Sequence, residues 1–274
     1  MIAQDSTRLV SAAAADRSLA PREHGAYGQI GLPLAAALAM GKPSLSAVLF
    51  TLASALIFTA HEPLLLLLGR RGLRAQRYGS SRARRSMRIL GAGAALAGGL
   101  GLALAPYPAQ IATVVPLALG AALLRFIHQD KEKTLGGEIL AASALASTSV
   151  PVALASGISA SIAWGAWIAW SISFAAATCA VRVVVYRKKF QMSTAARISP
   201  VLAAALLSLA LGWVGVLSQA SALATAPMLL FSAVLALTPP HPSALRRIGW
   251  GLVGASGLTA AILVAGARFW VGHS

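Results

Sequence analysis

Nine apolar stretches, separated by short charged or turn-forming connectors, organise this chain. They cover residues 25–41, 44–69, 88–106, 109–127, 136–156, 159–186, 198–217, 220–238 and 248–267. A membrane helix needs about 20 mostly apolar residues, with a range near 17–25, so each stretch reads as one membrane span. The first is short and carries Gly25, Gly28, Gln29, Gly31 and Pro33. The second and sixth are long, which predicts tilt or extension beyond the bilayer. Pro106-Tyr107-Pro108 and Ser156-Gly157-Ile158 read as tight turns between antiparallel helices. The longest connector is 70–87, and no separate soluble domain fits. The expected fold is therefore all-α, a polytopic transmembrane bundle of about nine spans. It forms a single domain over residues 22–274. Residues 1–21 lack the apolar core of a signal peptide and read as a mobile cytoplasmic tail ending at Pro21.

Composition sharpens this picture. Hydrophobic residues make up 57% of the chain and charged residues 11%, against about 25% charged in an ordinary soluble domain. The net charge of +16 would suit a nucleic-acid binder. Here the basic residues sit in short connectors, where membrane topology accounts for them, and no nucleic-acid partner is expected. With the N-terminus inside, all of the 23 Lys and Arg residues except Lys42 and Arg268 fall in cytoplasmic connectors or beside them. Removing one helix from the middle would invert every later loop and destroy that agreement. The positive-inside rule thus supports nine spans with the N-terminus in the cytoplasm.

Aromatic and small residues fit the same frame. Tyr107, Trp164, Trp213 and Trp270 fall near outer span ends, where amphipathic rings prefer the interface. Trp167 and Trp170 lie deeper, as packing residues or as the lining of a cavity. Gly93, Ala97 and Gly101 repeat every four residues on the third span. Such spacing lets two helices approach closely, within the bundle or across a dimer. The single cysteine, Cys179, has no partner for an intramolecular disulfide.

Ionisable residues inside spans are costly and raise a functional question. They fall in one layer, on the cytoplasmic side of the topology. Glu23 and His24 open the first span, and His61 and Glu62 lie in the inner half of the second. Arg125, His128 and Asp130 end the fourth, and Lys131, Glu132 and Glu138 lead into the fifth. Arg182, Tyr186, Arg187 and Lys189 end the sixth; His241 and Arg246 separate the eighth from the ninth. Two readings follow. In one, these groups form a cytoplasm-facing pocket: Glu23, His24, His61 and Glu62 are candidates for proton transfer, and Arg125, Glu138, Arg182 and Tyr186 would hold a substrate. In the other they snorkel to headgroups or pair between helices, with Glu62 joined to a neighbouring Arg. The pair His61–Glu62 lies about two turns above Arg70, deep for an interfacial role. Pro63 frees a backbone carbonyl beside it. A mixture of Arg, His and Glu suits an anionic headgroup on an apolar chain.

His61-Glu62-Pro63 lacks the second histidine of a zinc-protease helix. No phosphate-cradling loop, dinucleotide fingerprint or paired aspartates for magnesium appear, so no metal or cofactor is expected.

Three blocks carry a resemblance. Pro21-Arg22-Glu23-His24-Gly25-Ala26-Tyr27-Gly28 with Leu32-Pro33 is the first. Ala60-His61-Glu62-Pro63-Leu64 with Gly69-Arg70-Arg71-Gly72 is the second. Asp130-Lys131-Glu132-Lys133-Thr134 with Gly137-Glu138 is the third. Together they resemble the YwiC-like family, which implies a bacterial integral membrane protein of the inner (plasma) membrane. More distantly, nine helices with a cytoplasmic polar layer resemble the UbiA-type prenyltransferases, whose second and sixth helices bind magnesium and prenyl diphosphate through aspartate-rich motifs. The corresponding regions here are His61–Glu62 and Arg182–Tyr186. One carboxylate stands where several are needed, and the sixth helix is basic, which argues against magnesium-dependent prenyl transfer. Two functions remain in view. One is binding or modification of an anionic lipid or isoprenoid. The other is a small-molecule transporter with the same layer as its inner gate. The outer halves lack a polar exit path, which favours the first.

Overall fold

The computed structural model describes residues 24–186 and 192–271, except for the side chains of His24, Trp270 and Val271. The tail 1–21 and Glu23 lie outside these residues. Twelve α-helices follow in order: α1 His24–Met40, α2 Leu45–Leu67, α3 Leu73–Leu104, α4 Tyr107–Ala112, α5 Val114–His128, α6 Leu135–Ser147, α7 Ser149–Ala155, α8 Ala160–Val185, α9 Thr194–Trp213, α10 Gln219–Ala224, α11 Ala226–Leu237 and α12 Leu245–Val271. The described residues contain no strand. Eight helical stretches are long and apolar enough to cross a membrane, and the apolar helix Gly25–Met40 is shorter. Each of the nine apolar stretches is therefore helical, and eight of them are long enough to span.

Twelve helices arise from nine stretches because three spans break near a proline. Pro116 and Pro151 have no N–H for the carbonyls of Ala112 and Ser147, and α4 and α6 end at those two residues. Pro227 acts alike just after α10. Each break carries a threonine whose hydroxyl donates to the carbonyl three residues back: Thr113 to Gln110 at 2.6 Å, Thr148 to Leu145 at 2.6 Å and Thr225 to Ala222 at 2.7 Å. Such bonds satisfy backbone that water cannot reach in lipid.

The packing is that of a membrane bundle. Alanines and serines fill the interior, among them Ala37, Ala146, Ala169, Ala180, Ser147 and Ser173. Large apolar side chains point outward, with Leu96, Leu206, Leu209 and Leu230 about two-thirds exposed at 67%, 67%, 67% and 68%. In water this arrangement would waste the apolar area; in lipid, small residues bring helices together and leucines meet acyl chains. The protein is a multi-pass membrane protein.

The chain divides into two compact units. The described part of the first is residues 49–103; the second comprises 24–48 and 104–271. In the first unit, α2 and α3 form an antiparallel pair. A Cβ on Gly101 would approach the Phe50 ring to 3.1 Å, one on Gly93 would approach Leu56 to 3.2 Å, and one on Gly79 would approach Leu66 to 3.2 Å. The small-residue face of the third span thus packs on its own chain. In the second unit, α8 is central and packs against α6, α7, α9, α10 and α11. Trp170 is buried and stacks on Phe174 at 5.2 Å, and the Trp167 indole donates to the Ser143 carbonyl at 3.1 Å. Both deep tryptophans are packing residues.

One expectation needs correction. The connector 70–87 is helical from Leu73 onward and continuous with the third span. The stretch has no proline, and arginine, alanine, glutamine and methionine are good helix formers. Charge marked it as a loop; propensity makes it helix.

Candidate functional site

The deepest charged group of the first unit is Glu62, on α2, which is 4% exposed. The chain beyond it stops at a glycine turn. Gly69 adopts φ +75°, its N–H donates to the Leu66 carbonyl at 3.1 Å, and the Arg70 N–H donates to the Leu65 carbonyl at 3.0 Å. This is the Schellman pattern, in which a left-handed residue closes the last helical turn. The reversal carries Arg71 back along α2, and its Nη2 donates to Glu62 Oε2 at 2.5 Å. Glu62 is therefore braced by a guanidinium nine residues on. His61 is half-buried beside it.

The second unit holds a different pair. Arg182 Nη1, in the last turn of α8, donates to Glu138 Oε2 on α6 at 2.8 Å and lies within 3.3 Å of the Lys133 carbonyl. Its guanidinium covers the Tyr186 ring at 5.3 Å, a cation–π geometry. The α5–α6 connector is built to bring Glu138 there. Asp130 takes φ 60°, and the Lys131 N–H closes α5 on the Phe126 carbonyl at 2.9 Å. Thr134 caps α6 by accepting from the Gly137 N–H at 3.2 Å. A Cβ at Gly137 would collide with the carbonyl groups of Lys131 and Glu132. Gly137→Ala is expected to cost about 1–3 kcal/mol by overpacking, and Thr134→Ala about 1 kcal/mol by loss of the cap. Thermal unfolding of the purified variants checks both; equal melting temperatures would count against this account of the connector.

Of the sequence candidates, Glu138, Arg182 and Tyr186 meet. Arg125 is exposed at the end of α5, and no hydrogen bond or ion pair among the described residues joins its side chain to those three. Glu23 lies outside the described residues, and of His24 only the backbone is described, as the first residue of α1. The described residues contain no group of three His, Cys, Asp or Glu side chains that could hold a metal.

A further cluster lies in the stretch whose charge, in the sequence, reads only as topology. Because residues 73–88 are helical, Arg74, Arg77, Arg84, Arg85 and Arg88 share one exposed arc of α3, with Arg82 exposed outside it and Ala75 and Ala83 buried away from it. On this arc Ser81, Arg84, Arg85, Arg88 and Ile89 line an open surface groove of about 380 Å³. Their spacing of i, i+3, i+4, i+7 and i+8 is the signature of one helix face, legible once the stretch is read as helix.

Two of the three sequence blocks now have a physical account. The second makes the Gly69 reversal and the Glu62–Arg71 pair. The third makes the Thr134 cap, the room at Gly137 and the Glu138 arm. Residues 20–154 match the model of the YwiC-like protein family. All three blocks lie inside this YwiC-like stretch, as do the ion-paired carboxylates Glu62 and Glu138. Arg182, the partner of Glu138, lies beyond it. No curated protein and no solved structure matches the chain, so the likeness to prenyltransferases gains no support.

Proposed function

We propose that this multi-pass membrane protein binds a lipid or isoprenoid with an anionic headgroup on its cytoplasmic side, and that the arginine face of α3 receives the headgroup. The observation that carries the reading is the groove at Ser81, Arg84, Arg85 and Arg88, placed where the apolar part of α3 begins. From Ile89 to Leu104 the helix rises about 24 Å, less than the roughly 30 Å of a hydrocarbon core. The membrane boundary therefore falls among Arg84, Arg85 and Arg88. Guanidinium groups bind phosphate through paired N–H donors, the Ser81 hydroxyl adds another donor, and Ile89 leads into the apolar layer. Arg125, exposed at the end of α5, supplies further positive charge in the second unit.

Binding, rather than proton transfer, is the role this geometry favours. The carboxylate of Glu62 is matched by Arg71, and that of Glu138 by Arg182. Native mass spectrometry of protein released from phosphatidylglycerol nanodiscs tests the proposal. The wild type should retain at least one discrete phosphatidylglycerol adduct more than Arg84→Gln/Arg85→Gln/Arg88→Gln does. The same adducts in both proteins would refute it.

A further inference from the structure

Two basic residues depart from the charge asymmetry of the chain, Lys42 and Arg268, and the fold brings them to one corner of the second unit. Arg268 Nε donates to the carbonyl of Ala39, near the end of α1, at 3.1 Å. Lys42 follows three residues later, exposed. Its backbone N–H is bound to the Ser156 carbonyl at 3.0 Å, and Gly41 lies so close to that carbonyl that a Cβ would collide with it. Backbone contacts thus hold both cationic residues in place.

Below this corner runs a groove of about 490 Å³ between α1 and α12, floored by Ala35, Ala36 and Ala39 on one side and Ala261 and Ala265 on the other, with Arg268 at its end. Small side chains on both helices leave the space open. The volume lies within the usual range of about 300–1,000 Å³ for a ligand site. Along α12, Arg268 stands about 32 Å of helix rise from Arg247, close to one hydrocarbon thickness. The corner therefore sits at the headgroup level of the leaflet opposite to the Arg246–Arg247 end.

Among the described residues, no acidic side chain pairs with this corner. Among the described residues, the guanidinium Nη groups of Arg268 have no partner. The described acids of this unit, Asp130, Glu132 and Glu138, lie at the start of α6 or before it, and Ser156 follows the end of α7. Glu138 and Ser156 are about 27 Å of helix rise apart. An open, alanine-lined groove ending at Arg268, with Lys42 three residues beyond Ala39, complements one kind of molecule: an acyl chain carrying a phosphate.

We propose that the α1–α12 groove is a binding site for an anionic phospholipid of the leaflet opposite to the Arg246–Arg247 end of α12. The acyl chain lies along the alanines and the phosphate accepts from Arg268 and Lys42. The site is separate from the headgroup site proposed above and stands or falls independently of it.

Lipid retention in nanodiscs of mixed phosphatidylglycerol and phosphatidylcholine, read by native mass spectrometry, tests it with two variants. Lys42→Gln/Arg268→Gln removes the charge, and Ala261→Phe fills the groove while leaving both cationic residues intact. Both variants are expected to lose one phosphatidylglycerol that the wild type keeps, with apparent affinity at least tenfold weaker. Arg84→Gln/Arg85→Gln/Arg88→Gln should keep that lipid. Inorganic phosphate alone should not protect the protein from thermal unfolding, since it lacks the chain that fills the groove. Unchanged retention in Ala261→Phe, or in a folded Lys42→Gln/Arg268→Gln, overturns the proposal. Loss of every lipid only when α3 is altered would overturn it too, while leaving the α3 site standing.

Discussion

Arg71→Leu is expected to destabilise the protein by about 3–5 kcal/mol, the usual cost of leaving one charge of a buried pair without its partner. The two ends of the pair are not equivalent. The Glu62 side chain is 5% exposed and that of Arg71 26%. Without Arg71 the carboxylate is stranded, since a short side chain in mid-helix has no route to water. Without Glu62 the long arginine side chain can turn toward the headgroups. Glu62→Leu should therefore cost less, about 1–2 kcal/mol, the scale of one unsatisfied polar group. The double variant Glu62→Leu/Arg71→Leu should recover much of the loss seen in Arg71→Leu, because apolar replacement of a whole buried pair is often neutral. Thermal unfolding of the three variants in one detergent decides the matter. Equal losses in the two single variants would mean that Glu62 is hydrated, and the bracing role would fall.

The second large effect concerns ligand-linked stability. A ligand that binds only the folded protein stabilises it by about 2.7 kcal/mol at a hundred times its Kd. Phosphatidylglycerol added to the detergent-purified protein should raise the melting temperature, and phosphatidylcholine should not. The rise should be smaller in Arg84→Gln/Arg85→Gln/Arg88→Gln by the share that the α3 face contributes. The arginine face is exposed, so the effect should also weaken in 1 M salt, where the screening length falls to about 3 Å. A rise that salt and the triple substitution leave untouched would place the stabilising contacts elsewhere.

Most of the fold was legible in the chain because a bilayer leaves few options. Each apolar run must be helix, and the connectors are short. Helix ends followed from the same logic: Gly69 and Gly157 both take positive φ at the turns where the spans stop. The breaks at Thr113 and Thr148 were harder to see. A proline inside an apolar run breaks the helix at one place and is tolerated at another, as Pro33, Pro63 and Pro200 sit within unbroken helices. Packing decides between the two, and packing is not local.

The site was legible only in part. Glu62 and Glu138 stood out as carboxylates in or beside apolar runs, and a neighbouring arginine was one reading of Glu62. Which arginine could not be read from spacing along one helix, because Arg71 returns through a left-handed turn. The Glu138–Arg182 pair joins residues 44 apart in sequence, beyond any periodicity argument. The arginine face was hidden by its charge. Read as a connector, residues 70–87 have no faces; read as helix from Leu73 onward, Arg74, Arg77, Arg84, Arg85 and Arg88 fall on one arc.

The central claim is that this arc meets headgroups on the cytoplasmic leaflet. It is tested most directly by the accessibility of Tyr78→Cys in a Cys179→Ser background, with Val214→Cys as the reporter of the opposite side. Tyr78 and Val214 are both exposed, at 51% and 62%. A membrane-impermeant thiol reagent applied to intact cells should label Cys at 214 and spare Cys at 78, and opening the cells should reverse the protection at 78. Labelling of position 78 from outside intact cells would put the arginine face in the wrong compartment and contradict the account.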